Sequence, residues 1–505
     1  MTQTAASIRG LASNSSGLSR NLNNLRRDEW ITRLKLAAIA LTCVFIATKP
    51  KAAGLFVGLV VAASVTIRWS IARLADVSSA AAFGLAWLTL PATVPDGVTI
   101  SSTTIFFTDL LFPVAAVACV AAYGLPFRTS RFLWLYAAGL VPPVIVGALN
   151  GNPELLNEIR CATFIVCACI VAATMYREKS QDLLLKFLLA VIAPSALQVL
   201  IEATTGVKFI RGRVTEASAA TTTGTDALLS VTRFQLTTIG IAGVVVAWFF
   251  AAGLSGVRTR KATIIPLLAS SLTLVVFAFS RNQLVIVAIA SSIALMLRFR
   301  VRSLIRLVVA LVVSFGSLLG FATAFGDTAA GRFAPAQLSA YQTRVIGGLS
   351  ADKRRADSSV YLRNKETDLA MAAWRSSPVF GLGLGAIYRP PITNSFDPFW
   401  RSTGRTFLHN GYWWYLTKSG LVGFAGFCYF VLAPTTSAFR KRTSVGIAFL
   451  ACTGGVLVAS WVAPFPWEKS TAPVFGALVG LMAIEGGMGR LSRRAEGNNL
   501  VSLQP

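Results

Sequence analysis

Charged residues are scarce in this chain of 505 residues, and histidine is almost absent. Only 13% of the residues are charged, whereas 54% are hydrophobic, and the mean hydropathy is +0.63. This composition excludes an ordinary soluble domain. Apolar runs long enough to cross the roughly 30 Å hydrocarbon core of a bilayer recur along the chain and do not alternate, which indicates helices rather than a transmembrane barrel.

The chain also lacks the residue patterns of metal sites and of common hydrolytic sites. Its seven cysteines form no CxxC pair and all lie in apolar segments, and one histidine cannot complete a cysteine–histidine cluster. HExxH, GxSxG and DxD motifs are absent. We therefore predict no metal and no cofactor, and we interpret the cysteines as small core residues.

The fold class predicted from the apolar runs is all-α: a polytopic membrane protein with about 12–14 transmembrane helices. A polar arm over 1–33 is expected to be mobile, and 488–505 forms a tail. The last three spans, over 411–487, follow a long loop, and the fourteen candidate spans are 34–48, 52–67, 77–95, 105–124, 132–149, 161–176, 183–203, 235–254, 263–280, 283–297, 307–325, 411–433, 445–463 and 473–487.

Basic residues cluster in alternate connections between these spans, together with the arm and the tail. The positive-inside rule therefore predicts that both termini are cytoplasmic. Most of the net charge of +26 reflects this topology, and we predict no nucleic-acid partner.

The segment 326–410 is too long for a simple connection, and we predict a large extracytoplasmic loop. It carries eleven basic and six acidic residues, a surplus of five positive charges, which favours an anionic ligand. Residues 358–376 lack glycine and proline and predict a helix within the loop. Gly381, Gly383 and Gly385 then predict a tight turn that lets this helix pack back on the membrane.

The single histidine, His409, lies where this loop ends and an apolar helix begins. Histidine is the side chain whose ordinary pKa lies near neutrality, so His409 is the candidate for proton transfer, the alternative being an interfacial polar residue. Arg281 stands between two spans at the outer face, where arginine is costly unless it is paired or functional. Snorkelling to lipid headgroups is the alternative for Arg281.

Four blocks follow one another in the second half of the chain: SRNQL (280–284), YLRN (361–364), AAWRSSPVFGLGLG (372–385) and HNGYWWYLTKSGLVGFAG (409–426). In this order they resemble the O-antigen ligase / Wzy-type polymerase superfamily, whose members have a GT-C-like fold. The resemblance covers roughly 263–430, and Lys418 stands where the pattern leads us to expect an acidic residue.

The resemblance implies transfer of a glycan from a polyprenyl-pyrophosphate carrier to a lipid, glycan or wall acceptor, outside a bacterial cytoplasmic (inner) membrane. It implies that His409 is the catalytic base and that Arg281 and Arg363 bind the pyrophosphate. Arginine suits such a group because its planar fork matches phosphate oxygens. Ligase and polymerase are not distinguished, and transport or flipping of an anionic lipid-linked solute is the alternative from another class. Weaker candidates for the site are Asn410, Ser280, Arg405, Arg401 and Trp374, followed by Arg389, Arg211 and Arg213.

Overall fold

The computed structural model describes residues 70–90, 96–100, 103–205, 215–216, 232–233, 236–257, 261–278, 280–298, 305, 358–391 and 404–489. The candidate spans at 34–48, 52–67 and 307–325 lie outside these residues. The predicted N-terminal arm, most of the predicted tail and the site candidates Arg401, Arg211 and Arg213 also lie outside them.

Helices dominate the described residues, and short strands form two small antiparallel pairs. The strands are β1 (Gly97–Ile100) with β2 (Thr103–Phe106), and β3 (Thr215–Glu216) with β4 (Thr232–Arg233). A 3-10 turn covers Phe465–Trp467 and a π-helical turn Ile484–Met488. The helices are α1 (Ile71–Trp87), α2 (Phe107–Tyr123), α3 (Arg131–Leu149), α4 (Leu155–Glu178), α5 (Gln181–Thr205), α6 (Ile239–Ser255), α7 (Lys261–Ala278), α8 (Arg281–Leu297), α9 (Ser358–Ser376), α10 (Gly411–Lys441), α11 (Ser444–Ala459) and α12 (Ala472–Ala483).

Among the described residues, α3, α4, α5 and α10 are long and apolar enough to cross a membrane, and α2, α6, α7, α8, α11 and α12 are shorter apolar helices. The prediction of an all-α polytopic membrane protein is confirmed. Helix α9 differs from these, because it is polar and falls within the predicted loop.

The helices pack through small residues that let their backbones approach closely. A Cβ atom added to Gly480 of α12 would lie 2.3 Å from the carbonyl oxygen of Cys169 in α4. Gly139 of α3 also faces Gly423 and Gly426 of α10, with a looser fit: a Cβ atom there would lie 3.6 and 3.4 Å from their Cα atoms. Such contacts are typical of membrane helices, where van der Waals packing drives association. Five of the described cysteines are buried in this packing, as predicted, whereas Cys428 is partly exposed.

Contacts sort the helix ends into two groups at opposite ends of the bundle. At one end, which we call the Glu485 end, Tyr176 donates to Glu485 at 2.6 Å and Thr443 donates to it at 2.8 Å. Arg298 donates to the carbonyl of Arg442 at this end. Helix α10 runs from there to His409, which marks the other end, the His409 end. The basic residues of these connections that the structure describes near this end include Arg128, Arg177 and Arg298. Their common position fits the predicted alternation; the assignment of this end to the cytoplasm stays a prediction.

One predicted span is displaced. Helix α1 covers Ile71–Trp87, whereas the prediction was 77–95. The backbone N–H of Thr89 donates to the Ser195 hydroxyl at 3.2 Å instead of continuing the helix. Beyond it, β1 and β2 form a hairpin that was not predicted, although its β-branched residues favour strands.

Candidate active site

Helix α9 has the bounds predicted from the sequence, and it packs against the first half of α10. The hydroxyl of Thr417 on α10 donates to the carbonyl of Ala370 on α9 at 3.1 Å. Glycine and proline are absent from α9, so the chain there forms an uninterrupted helix. Its position brings polar residues of the long loop beside the start of a membrane helix.

Helix α10 is broken at Gly420, whose φ of 61° and ψ of −165° are not helical. Glycine is suited to this position because it lacks a Cβ. A break frees backbone groups that must find other partners away from water. The loop after α9 supplies them: Leu421 and Val422 donate to the carbonyls of Pro378 and Val379, while Leu382 and Gly383 donate to those of Thr417 and Lys418, at 2.9–3.1 Å.

The glycine-rich turn lets this loop lie against helix backbones. Gly381, Gly383 and Gly385 have φ values of 71°, 86° and 75°, in the left-handed region. A Cβ atom on Gly383 would lie 2.4 Å from the backbone nitrogen of Gly147 in α3. The turn therefore packs α9 back on the bundle, as predicted, by a contact too close for any side chain.

Lys418 forms a buried ion pair next to this turn. Its side chain is fully buried, and Nζ lies 3.1 Å from Oε1 of Glu158 on α4. The ammonium also donates to the carbonyl of Ala386, and the N–H of Gly385 donates to Glu158. Lys418 thus joins α10, α4 and the loop, and it serves the packing of the loop rather than the orientation of the histidine.

The acidic partner of His409 comes from α9. Nδ1 of His409 lies 2.9 Å from Oε2 of Glu366, and the backbone N–H of His409 donates to the same oxygen at 3.0 Å. The Glu366 side chain is 1% exposed and that of His409 is 20% exposed. These two contacts to one buried carboxylate oxygen fix the orientation of the His409 ring, and part of the side chain remains exposed at the protein surface.

The contact also sets the tautomer of a neutral imidazole. An ionised carboxylate can only accept hydrogen bonds, so Nδ1 carries the hydrogen and Nε2 carries the lone pair. A proton taken up at Nε2 would then be stabilised by the negative charge of Glu366. This arrangement leaves the Nε2 lone pair available to accept a proton.

Two further loop residues lie near the carboxylate of Glu366. Burial raises the pKa of Tyr388, the charge of Glu366 raises it further, and the charge of Arg389 lowers it. Arg389 is buried and donates to the carbonyl of Gly404 at 2.9 Å. The guanidinium of Arg389 therefore places a positive charge in the buried surroundings of Glu366.

The two predicted pyrophosphate ligands are placed differently. Arg363 lies three residues before Glu366 on α9, and residues three apart share one face of a helix. It therefore lies within about one turn of the residue that holds His409. Arg281 begins α8, follows Ser280 at the N-cap, and is half-buried. Convergence of Arg281 with His409 stays a prediction.

The supporting candidates have structural contacts. The side-chain oxygen of Asn410 accepts from the N–H groups of Tyr412 and Trp413, so it caps α10. Trp374 donates to the carbonyl of Pro378 at 3.2 Å, and Arg405 donates to that of Arg389 at 3.3 Å. These three residues shape the loop around His409, and a direct role toward substrate stays a prediction.

Glu366 is the residue that the sequence did not single out. It was counted only as one of six acids in the loop, yet it contacts the sole histidine across 43 positions. The available clue was its place one helical turn after Arg363, on the one helix predicted within the loop.

Residues 266–428 match the family model described as O-antigen ligase. The matched segment runs from α7 to the middle of α10, so it includes α8, α9 and His409. The predicted family resemblance is confirmed. No curated protein matches the chain.

Proposed function

We propose that this chain, a member of the O-antigen ligase family by its match over 266–428, is a glycosyltransferase with His409 as its base. The family match supports a membrane function in glycan ligation during assembly of cell-envelope polysaccharide. The proposed donor is a glycan on polyprenyl pyrophosphate, and the proposed acceptor is a hydroxyl group. The observation that carries the proposal is the contact of 2.9 Å between His409 Nδ1 and buried Glu366.

The proposed step forms one bond and breaks one. The acceptor oxygen attacks the anomeric carbon, the bond from that carbon to the pyrophosphate oxygen breaks, and polyprenyl pyrophosphate leaves with the electron pair. Nε2 of His409 takes the proton of the attacking hydroxyl. Positioned general bases contribute typically about 10²–10⁴-fold to such steps.

Arg363 and Arg281 are proposed to hold the leaving pyrophosphate. Charge develops on the bridging oxygen as the sugar departs, and fixed guanidinium groups stabilise it without reorganising. Arg363 is supported by its place on the helix that also carries Glu366. A lipid-tailed donor with a charged head also accounts for a site at the end of a membrane helix.

The test is a transfer assay with purified protein in liposomes, a labelled lipid-linked donor, an acceptor from the same cells, and EDTA throughout. We expect the label to appear on the acceptor while one polyprenyl pyrophosphate is released for each glycan transferred. Movement of intact donor across the bilayer without such release would contradict the proposal and indicate transport. A product extended on a second lipid-linked repeat would identify a polymerase.

Glu366→Gln is expected to lower kcat by about 10- to 100-fold with little change in KM. The variant removes a hydrogen bond between charged groups once His409 is protonated, and such bonds contribute about 1.5–3 kcal/mol. Glutamine can also donate to Nδ1, which would favour the wrong tautomer.

Asp368→Asn is the matched control, because Asp368 is an exposed carboxylate two residues further along α9. The pair of variants is compared by initial rates and by thermal unfolding in detergent. Equal activity of the two variants would remove Glu366 from the proposed site.

A further inference from the structure

A cavity of about 170 Å³ opens among the ends of α1, α2, α6 and α12. These are the helix ends of the His409 end: the cavity is lined by Thr108 at the start of α2 and by Lys469 and Ser470 just before α12. A single water needs only about 10–15 Å³, so the cavity can take a larger ligand.

The wall of the cavity is polar on one side and apolar on the other. Asp96, Thr108, Thr237, Lys469 and Ser470 supply a carboxylate, an ammonium and three hydroxyl groups. The apolar side is formed by alanine and leucine side chains at the end of α1 and just after it. Both donors and acceptors of hydrogen bonds are thus present beside apolar surface.

The hydroxyl group of Thr108 has no hydrogen-bond partner among the described residues. The residue is 4% exposed, and within the described part of the chain its Oγ1 makes no hydrogen bond. A buried hydroxyl in this state costs free energy, which a ligand in the cavity would recover.

The charges of the cavity are balanced. Nζ of Lys469 lies 3.7 Å from Asp96 and 2.9 Å from the ring centre of Phe106. An ammonium already facing a carboxylate favours neutral polar groups over a free phosphate. A sugar ring fits this wall, because it carries hydroxyl groups around its rim and C–H groups on its faces.

An aromatic stack joins the cavity to the start of α10. Trp467, two residues before Lys469, stacks on Trp414 with ring centres 3.6 Å apart and planes 17° apart. In the first turn of α10, the backbone N–H of Trp414 donates to the backbone carbonyl of Asn410, the residue next to His409. The cavity and the candidate site are therefore connected through packed residues at the same end of the bundle.

We propose that this cavity is a saccharide subsite, in which Thr108, Lys469 and Asp96 hydrogen-bond a sugar of the glycan at a distance from the reacting bond. The assignment rests on the proposed function for the choice of glycan. It predicts that a soluble fragment of the glycan shields Lys469 from solvent even when no transfer occurs.

The test is acetylation of amines at pH 8 on the full-length protein in detergent, with sites quantified by mass spectrometry. Partial burial lowers the pKa of Lys469 to about 8, so much of this amine is neutral and reactive under these conditions. The probe is a set of oligosaccharides cut from the cell-envelope polysaccharide of the source organism. We expect them to slow acetylation of Lys469 but not of the exposed Lys186, and dextran fragments of the same length to slow neither.

Thr108→Val separates recognition from folding. Valine keeps the shape and removes an unpartnered hydroxyl, so thermal stability should be retained. The oligosaccharide concentration needed for half-protection should rise about fivefold, the effect of one lost hydrogen bond. Unslowed acetylation of Lys469, or equal slowing by dextran, would overturn the subsite. Failure of the proposed function would show instead as absent transfer with protection intact.

Discussion

His409→Ala is expected to reduce glycan transfer by about 10²–10⁴-fold while the protein still folds and inserts. The imidazole is the group placed to take the proton of the acceptor hydroxyl, and alanine offers no replacement. The ring is 20% exposed and contacts the buried carboxylate of Glu366, so its loss should lower thermal stability. The backbone N–H of the alanine can still donate to Glu366, so we expect the variant to fold. In cells the variant should accumulate lipid-linked glycan that is normally consumed.

Thr406→Ala is the control for this variant, because Thr406 lies in the same segment before α10 and is half-buried. Activity is measured in liposomes at saturating donor, so that a change in donor affinity does not hide a change in kcat. The proposed role fails if His409→Ala retains transfer within a few-fold of the Thr406→Ala variant.

Elements with local signals could be predicted from the sequence. Helix α9 was predicted at its observed bounds because its 19 residues contain no glycine or proline and end at Ser377-Pro378. The first residue of α10 was also predicted, since Asn410 is a good N-cap before an apolar run. Hydropathy predicted the ends of the spans less well. In α1, the apolar run continues to 95, but the helix ends at Trp87.

The break in α10 could not be predicted in this way. Gly420 lies among small residues that are common in unbroken membrane helices. The break is stable because a loop that lies about 40 residues earlier in the chain satisfies the freed backbone groups; Val422, for example, donates to Val379. No local pattern reports such a contact.

Part of the candidate site could be predicted from local sequence signals, and part depended on long-range packing. His409 and Arg363 were identified because one is unique and both fall in the family's blocks. Glu366 depends on how α9 packs against α10, and this packing is set by the loop that inserts at Gly420. An acidic residue was expected at position 418, two residues before Gly420. The carboxylate that contacts His409 is instead that of Glu366 on α9.

Lys418→Met is expected to be the most destabilising of the substitutions considered, by about 3–5 kcal/mol, because it leaves Glu158 buried without its partner. The measurement is thermal or denaturant unfolding in detergent, followed by tryptophan fluorescence. Lys441→Met on the same helix is the control, since Lys441 is exposed and should change stability by less than about 0.5 kcal/mol.

The double variant Lys418→Met with Glu158→Gln separates charge from packing. Removing both charges leaves no buried ion without a partner, so most of the lost stability should return. The N–H of Gly385 can still donate to the glutamine oxygen, so the turn that carries Tyr388 and Arg389 toward Glu366 should stay in place. Transfer activity should recover together with stability. If the double variant is as unstable as Lys418→Met, the shape of the lysine side chain, rather than its pairing, holds the loop against α10.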